Sequence, residues 1–391
     1  MVRSETRRLA LWGLGPLALL AVFVALFLAY GPLGIFEAAF PPVEQLTVDR
    51  VTLRPGQMVV SLTNGGPSAV TVAQVLVDDA YWQHTVEPDR TIPRLGRATV
   101  TIPYPWMAGE PHRIKLLTSS GVVIEHEVPV AVQTPKPDGR SLLAFTMIGV
   151  YAGVVPVMIG LLWFPFLQRI GRRWLSFFLS LTGGLLVFLG LDTLAEALEV
   201  RDRVPGAFQG TGLVTVGVLG TILALVVVTR RATRGKLDGP QARLVLATLV
   251  ALAIGLHNLG EGLAIGAAYA LGEVALGTFL VLGFLIHNTT EGLGIAAPLA
   301  PDRPPLARFV QLGALAGLPT ILGTWLGGFV YSPVFATLFL AIGAGAIFQV
   351  AYELVRLMVR QAGDELVTAS NFAGFVVGLL VMYLTGLFVA G

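Results

Sequence analysis

The sequence contains no cysteine, which excludes disulfides, thiolate metal sites and thiol nucleophiles and leaves the redox compartment open. Charge is also scarce. Asp, Glu, Lys and Arg make up 13% of the 391 residues, about half the share of an ordinary soluble domain. A net charge of +2 gives none of the basic polarity of a nucleic-acid binder. Histidine occurs five times, and never as H-E-x-x-H. What is abundant is apolar: 54% of residues are hydrophobic and the mean hydropathy is +0.76. That exceeds the need of a soluble core, so most of the chain is expected to face lipid.

Arg3, Arg7 and Arg8 precede an apolar run from Leu9 to about Phe36. The run is long for a signal peptide and has no clear small-x-small cleavage site, so residues 1–40 read as an uncleaved transmembrane anchor with its basic end in the cytoplasm. Residues 41–133 change character. Short β-branched runs (Val48–Leu53, Met58–Leu62, Val70–Val77, Arg97–Ile102, Arg113–Leu117, Val122–Val130) alternate with turn signals such as Arg54-Pro55-Gly56 and Ser119-Ser120-Gly121. This pattern predicts a small all-β, sandwich-like domain. The Pro-containing stretch 134–141 reads as a stiff linker back to the membrane.

From 142 to 391 apolar runs recur, predicting eight membrane-spanning helices at 142–167, 174–199, 208–229, 243–268, 274–299, 307–331, 333–358 and 369–390. The expected fold is therefore an all-α membrane helix bundle, plus the anchor and the β domain. Positive charge marks alternate breaks: Arg169, Arg172 and Arg173; then Arg230, Arg231, Arg234, Lys236 and Arg243 against Asp238; then Arg303 and Arg308; then Arg356 and Arg360. The breaks at Val204–Phe208, Ala270–Glu273 and Tyr331–Pro333 carry few. The basic breaks are read as cytoplasmic, which puts the C-terminus and the β domain outside, as the anchor independently requires.

The chemistry sits in spans four and five. Span four holds His257-Asn258-Leu259-Gly260-Glu261-Gly262 and span five His287-Asn288-Thr289-Thr290-Glu291-Gly292, one H-N-x-x-E-G pattern twice. Residues three or four apart share a helix face, so His257, Asn258 and Glu261 can converge, as can His287, Asn288 and Glu291. The short Tyr269–Val274 turn makes the two spans antiparallel neighbours. Ionisable groups at membrane depth cost several kcal/mol unless paired, neutralised or coordinated. A divalent cation bound by mixed N and O ligands supplies the missing charge, and the lack of sulfur argues against copper(I). Packing residues that only hydrogen-bond one another are the bland alternative, and the duplication weighs against it. Gly262 with Gly266, and Gly292 with Gly294, are expected to let helices approach closely around one ion.

Other polar groups carry weaker signals. Asp192 and Glu196 in span two stand four apart and read as an ion path or as interfacial carboxylates. Gln349 and Glu353 in span seven read as partners behind the metal ligands, or as a Glu353–Arg356 surface pair. His84, His112 and His126 fall in the β domain, as scattered surface histidines or as metal-capturing groups.

At the paired motifs the chain resembles the ZIP (Zrt/Irt-like) family of metal transporters, over residues 141–391. Fainter echoes are Gly183-Gly184-Leu185 through Asp192–Ala197 in span two, and Gly343–Ala346 through Glu353 in span seven. The resemblance implies eight spans with both ends outside, a metal site from His257, Asn258, Glu261, His287, Asn288 and Glu291, transport towards the cytoplasm, and often a homodimer. The chain departs from the family in three places. Thr320 stands where many members carry Glu before the span-six proline region, which argues against a second adjacent metal. Leu185 stands about where some offer a methionine, and the loop after span three lacks histidine.

The expected function is transport of divalent transition-metal ions, zinc first, with iron, manganese, cobalt and cadmium open, by a non-enzymatic integral protein of the plasma (inner) membrane. The metal is cargo and no cofactor is implied. Channel, elevator and rocking carrier all fit these residues. The rivals are an intramembrane metal-dependent hydrolase, with Glu261 as base, and a metal sensor signalling through the β domain.

Overall fold

A computed structural model describes residues 2–30, 44–232, 239–362 and 367–387. Arg234, Lys236 and Asp238, the end of the anchor after Tyr30 and the last residues of span eight lie outside the described residues. The N-terminal unit, Met1–Glu44, is described by itself: it holds one helix, Val2–Tyr30, with an apolar stretch at Leu14–Phe27.

The second unit, Gln45–Gly391, begins with nine strands: β1 Leu46–Arg54, β2 Gln57–Asn64, β3 Val70–Val77, β4 Ala80–Trp82, β5 Thr85–Glu87, β6 Thr91–Ile92, β7 Arg97–Ile102, β8 His112–Thr118 and β9 Val123–Val128. They form two antiparallel sheets, β1-β2-β7-β5 and β4-β3-β8-β9, with β6 beside β3. Alternate residues point inward, so Val60, Leu62, Val100 and Ile102 of the first sheet share a core with Val72, Val75, Ile114 and Leu116 of the second. The β1–β2 hairpin turns on Pro55-Gly56, where Gly56 takes a φ of +72° that a side chain would resist. The β3–β4 turn uses Asp78 and Asp79 at φ 52° and 66°, tolerated because a short carboxylate side chain bonds locally. Without glycine that turn carries no strong sequence signal, and β4, β5 and β6 were not foreseen.

Eight helices follow that are long and apolar enough to cross a membrane: spans one to eight at Gly139–Leu167, Arg172–Arg203, Gly206–Ala232, Pro240–Ala270, Val274–Leu299, Leu306–Val330, Pro333–Arg360 and Ala369–Gly386. The chain thus has the architecture of an integral membrane protein with an antiparallel sheet domain. The linker is tied down at both ends. Leu53 and Thr134 exchange hydrogen bonds of 3.0 Å, and the Asp138 carboxylate caps span one at Ser141 N.

Small residues decide which spans touch. At Gly262 and Gly266 a Cβ would collide with the Thr320 and Thr324 carbonyls of span six, and at Gly292 with Val157 O of span one. The sequence reading of these glycines is corrected: they seat span four on span six and span five on span one, while Gly294 meets the Thr182 side chain of span two. A glycine stripe marks a face open to close approach but does not name the partner. Gly184, Gly374 and Gly378 likewise join spans two and eight, and Gly345 joins span seven to three. Two groups result, one of spans one, four, five and six, the other of spans two, three, seven and eight. Across the seam between them Gly260 meets the Leu340 side chain and Gly294 the Thr182 side chain, and Gly343 faces the backbone of Leu256 and His257 at ordinary contact distance.

Candidate metal centre

Both motifs lie mid-helix and their polar side chains are buried. One helical turn brings His257 Nε2 to 3.3 Å from Glu261 Oε1, and the matching turn brings His287 Nε2 to 3.4 Å from Glu291 Oε1. Glu261 Oε1 is also 3.8 Å from His287 Nε2, so the two faces meet at this carboxylate. The imidazoles lie nearly parallel, 5.9 Å between centroids. One ligand atom from each of His257, His287 and Glu291 falls within 4.8 Å of the others. Among the described residues no other group of three His, Asp or Glu gathers in this way.

These atoms are close but not aligned as hydrogen bonds. His257 Nε2, His287 Nε2, Glu261 Oε1 and both Glu291 oxygens are buried without a hydrogen-bond partner. Buried polar groups are nearly always satisfied, and a focus of five that are not has the character of a ligand shell. The donor set, two imidazole nitrogens and two carboxylates, matches a borderline divalent ion in type and in charge.

The asparagines hold the frame. Proline at 156 lacks the N–H that would bond Ala152 O four residues back, and a π turn spans Val150–Val154 just before it. Asn288 Nδ2 donates to that carbonyl at 2.8 Å and to Glu261 Oε2 at 2.9 Å. Because both neighbours are acceptors, the amide orientation is determined. Asn258 Nδ2 donates to Ala316 O of span six at 3.1 Å, three residues before Pro319, which the helix carries in its interior. The Oδ1 atoms of both asparagines are buried and unpartnered. Thr320 of span six is fully buried against Gly153 of span one.

The outlying candidates separate. Gln349 donates to Glu353 at 3.2 Å, and Glu353 pairs with Arg356 at 3.3 Å beside a small cavity lined also by Thr229 and Leu249. Glu196 faces a cavity of about 980 Å³ between the β domain and the bundle, and exposed Asp192 lies outside its lining. That cavity runs from Asp49, Arg50, Glu125 and His126 of the sheets past Glu199 and Arg203 to Gly260, the neighbour of Glu261 in the chain. Burial raises the Asp49 pKa, and burial lowers those of Arg50 and His126. Arg50 donates to Phe329 O and, at 3.0 Å, to Gly328 O, fastening β1 to the end of span six. The other β-domain histidines stand elsewhere. His112 Nδ1 is 2.8 Å from Asp78, bracing the Asp78-Asp79 turn, and His84 Nδ1 is 3.4 Å from Trp82 O.

Two contacts at the cavity and the centre escaped the sequence reading. Arg50 carries no motif. Thr193 of span two places its hydroxyl 2.7 Å from His257 Nδ1, and nothing in the sequence links positions 64 residues apart. Comparison with protein-family models and with curated proteins returned no match.

Proposed function

We propose that this chain is a ZIP-like transporter of divalent transition-metal ions, zinc first among them, carrying them inward across the membrane through a site built from His257, Glu261, His287 and Glu291. The observation that carries this reading is the buried, unsatisfied donor set on two adjacent apolar helices. Two carboxylates and two imidazoles in that setting are costly alone, and a dication offsets the charge. Transport suits the arrangement better than a closed structural site, because a large cavity extends from the β-domain end as far as Gly260, the residue next to Glu261. The inward direction rests on loop charge: Glu273, Tyr331 and Pro333, from two of the charge-poor breaks, line the cavity together with β-domain residues, which supports reading that end as the outside. The ion then enters past Glu196 and leaves towards the arginine-rich end.

Uptake into proteoliposomes across a panel of divalent ions tests the proposal. Wild-type flux that Glu261→Ala and Glu291→Ala abolish, with folding intact, is the expected result. Ion bound at the site with no flux for any ion would overturn transport in favour of sensing or catalysis.

A further inference from the structure

His257 is held from across the seam. Thr193 is fully buried in span two, and its Oγ1 lies 2.7 Å from Leu189 O, one turn back on its own helix, and 2.7 Å from His257 Nδ1. A hydroxyl has one proton, and a carbonyl can only accept. The proton therefore goes to Leu189 O, and the oxygen accepts from His257 Nδ1–H. That puts a hydrogen on Nδ1 and leaves Nε2, 3.3 Å from Glu261 Oε1 and close to the other ligand atoms, as the nitrogen available to ligate.

We infer that Thr193 is a positioning residue that fixes the ligating tautomer and ring orientation of His257, and that it does so only in this register of the two helix groups. This deepens the metal-site proposal and rests on it. Thr193 belongs to the group of spans two, three, seven and eight, and His257 to the group of spans one, four, five and six. The tightest glycine-to-backbone contacts, such as Gly262 on Thr320 O and Gly184 on Phe375 O, lie inside each group, whereas across the seam Gly260 and Gly294 meet side chains and a Cβ at Gly343 would meet the His257 backbone only at an ordinary 3.5 Å. Any sliding of one group along the other must break the Thr193–His257 bond, which loosens one ligand as the site moves. Asn288 and Asn258 act differently: each bonds to carbonyls within its own group and travels with the site.

The test compares wild type, Thr193→Val and Thr193→Ser in the full chain, using Zn²⁺ as the probe. Valine keeps the volume and removes the acceptor, and serine restores it. Zinc affinity by calorimetry is expected to fall about tenfold or more in Thr193→Val, the usual effect of losing a partner behind a ligating imidazole, and to recover in Thr193→Ser. With ¹⁵N-histidine, zinc-loaded wild type should show His257 ligated through Nε2 with a hydrogen-bonded Nδ1 proton, a signature lost in valine and regained in serine. In flux assays valine should raise KM without lowering turnover. Wild-type affinity in Thr193→Val, or ligation through Nδ1 in wild type, overturns the positioning role while leaving the metal site standing. Wild type that binds no divalent ion overturns the metal site itself, and this inference with it.

Discussion

Replacing Asn288 by alanine removes a donor that serves two buried acceptors at once, Ala152 O at 2.8 Å and Glu261 Oε2 at 2.9 Å. A stranded neutral acceptor costs about 1–3 kcal/mol and a charged one more, so the substitution should cost about 3–5 kcal/mol of stability. Asn258→Ala is the internal control. It removes only the bond to Ala316 O, at 3.1 Å, a carbonyl that the helix itself can serve through the Thr320 N–H, and should cost about 0.5–1.5 kcal/mol. SDS-induced unfolding in mixed micelles, followed by tryptophan fluorescence, measures both. The Glu261→Gln and Asn288→Ala pair completes the cycle: residues in direct contact should couple by about 0.5–3 kcal/mol. Equal costs for the two asparagines would refute the assignment of Asn288 as the support of Glu261. So would additivity of the pair within about 0.5 kcal/mol.

Two further outcomes probe the scaffold. Arg50→Ala removes the donors to Gly328 O and Phe329 O and should loosen the β domain from the bundle by about 1–3 kcal/mol. Hydrogen–deuterium exchange should rise in β1 and around Tyr331 while the bundle's unfolding midpoint holds, and unchanged exchange would count against the clasp. Gly262→Ala and Gly220→Ala should differ in sign. The first drives a Cβ into Thr320 O and should cost about 1–3 kcal/mol or more. The second meets nothing within 4 Å and should gain about 0.5–1 kcal/mol from helix propensity. Melts that move the same way would undo the packing argument.

Much of the molecule was legible in one dimension because its causes are local. An apolar run near twenty residues is long enough to cross a bilayer wherever it sits, and the eight spans fall within a few residues of the helices observed. Six of the nine strands were visible from alternation and turn residues. The short β4, which follows a turn made by two aspartates, was not, because tertiary bonds to Asp78 from His112, Tyr104 and Arg113 N brace it. The motif spacing implied that each histidine meets a glutamate one turn on, because a helix repeats every 3.6 residues.

What the sequence by itself determined is the inventory: eight apolar spans, a β domain ahead of them, and two polar turns whose side chains share a face. Only the tertiary structure decided the pairing. Helical period says which residues share a face but carries no information about the neighbour that face meets. So Gly262 could not be assigned to span six, nor Gly292 to span one, before the bundle was assembled. For the same reason Arg50 found the carbonyls of Gly328 and Phe329, and Thr193 found His257, only through the fold. Each bond joins groups distant in the chain, and its geometry depends on the azimuth and depth of two elements at once.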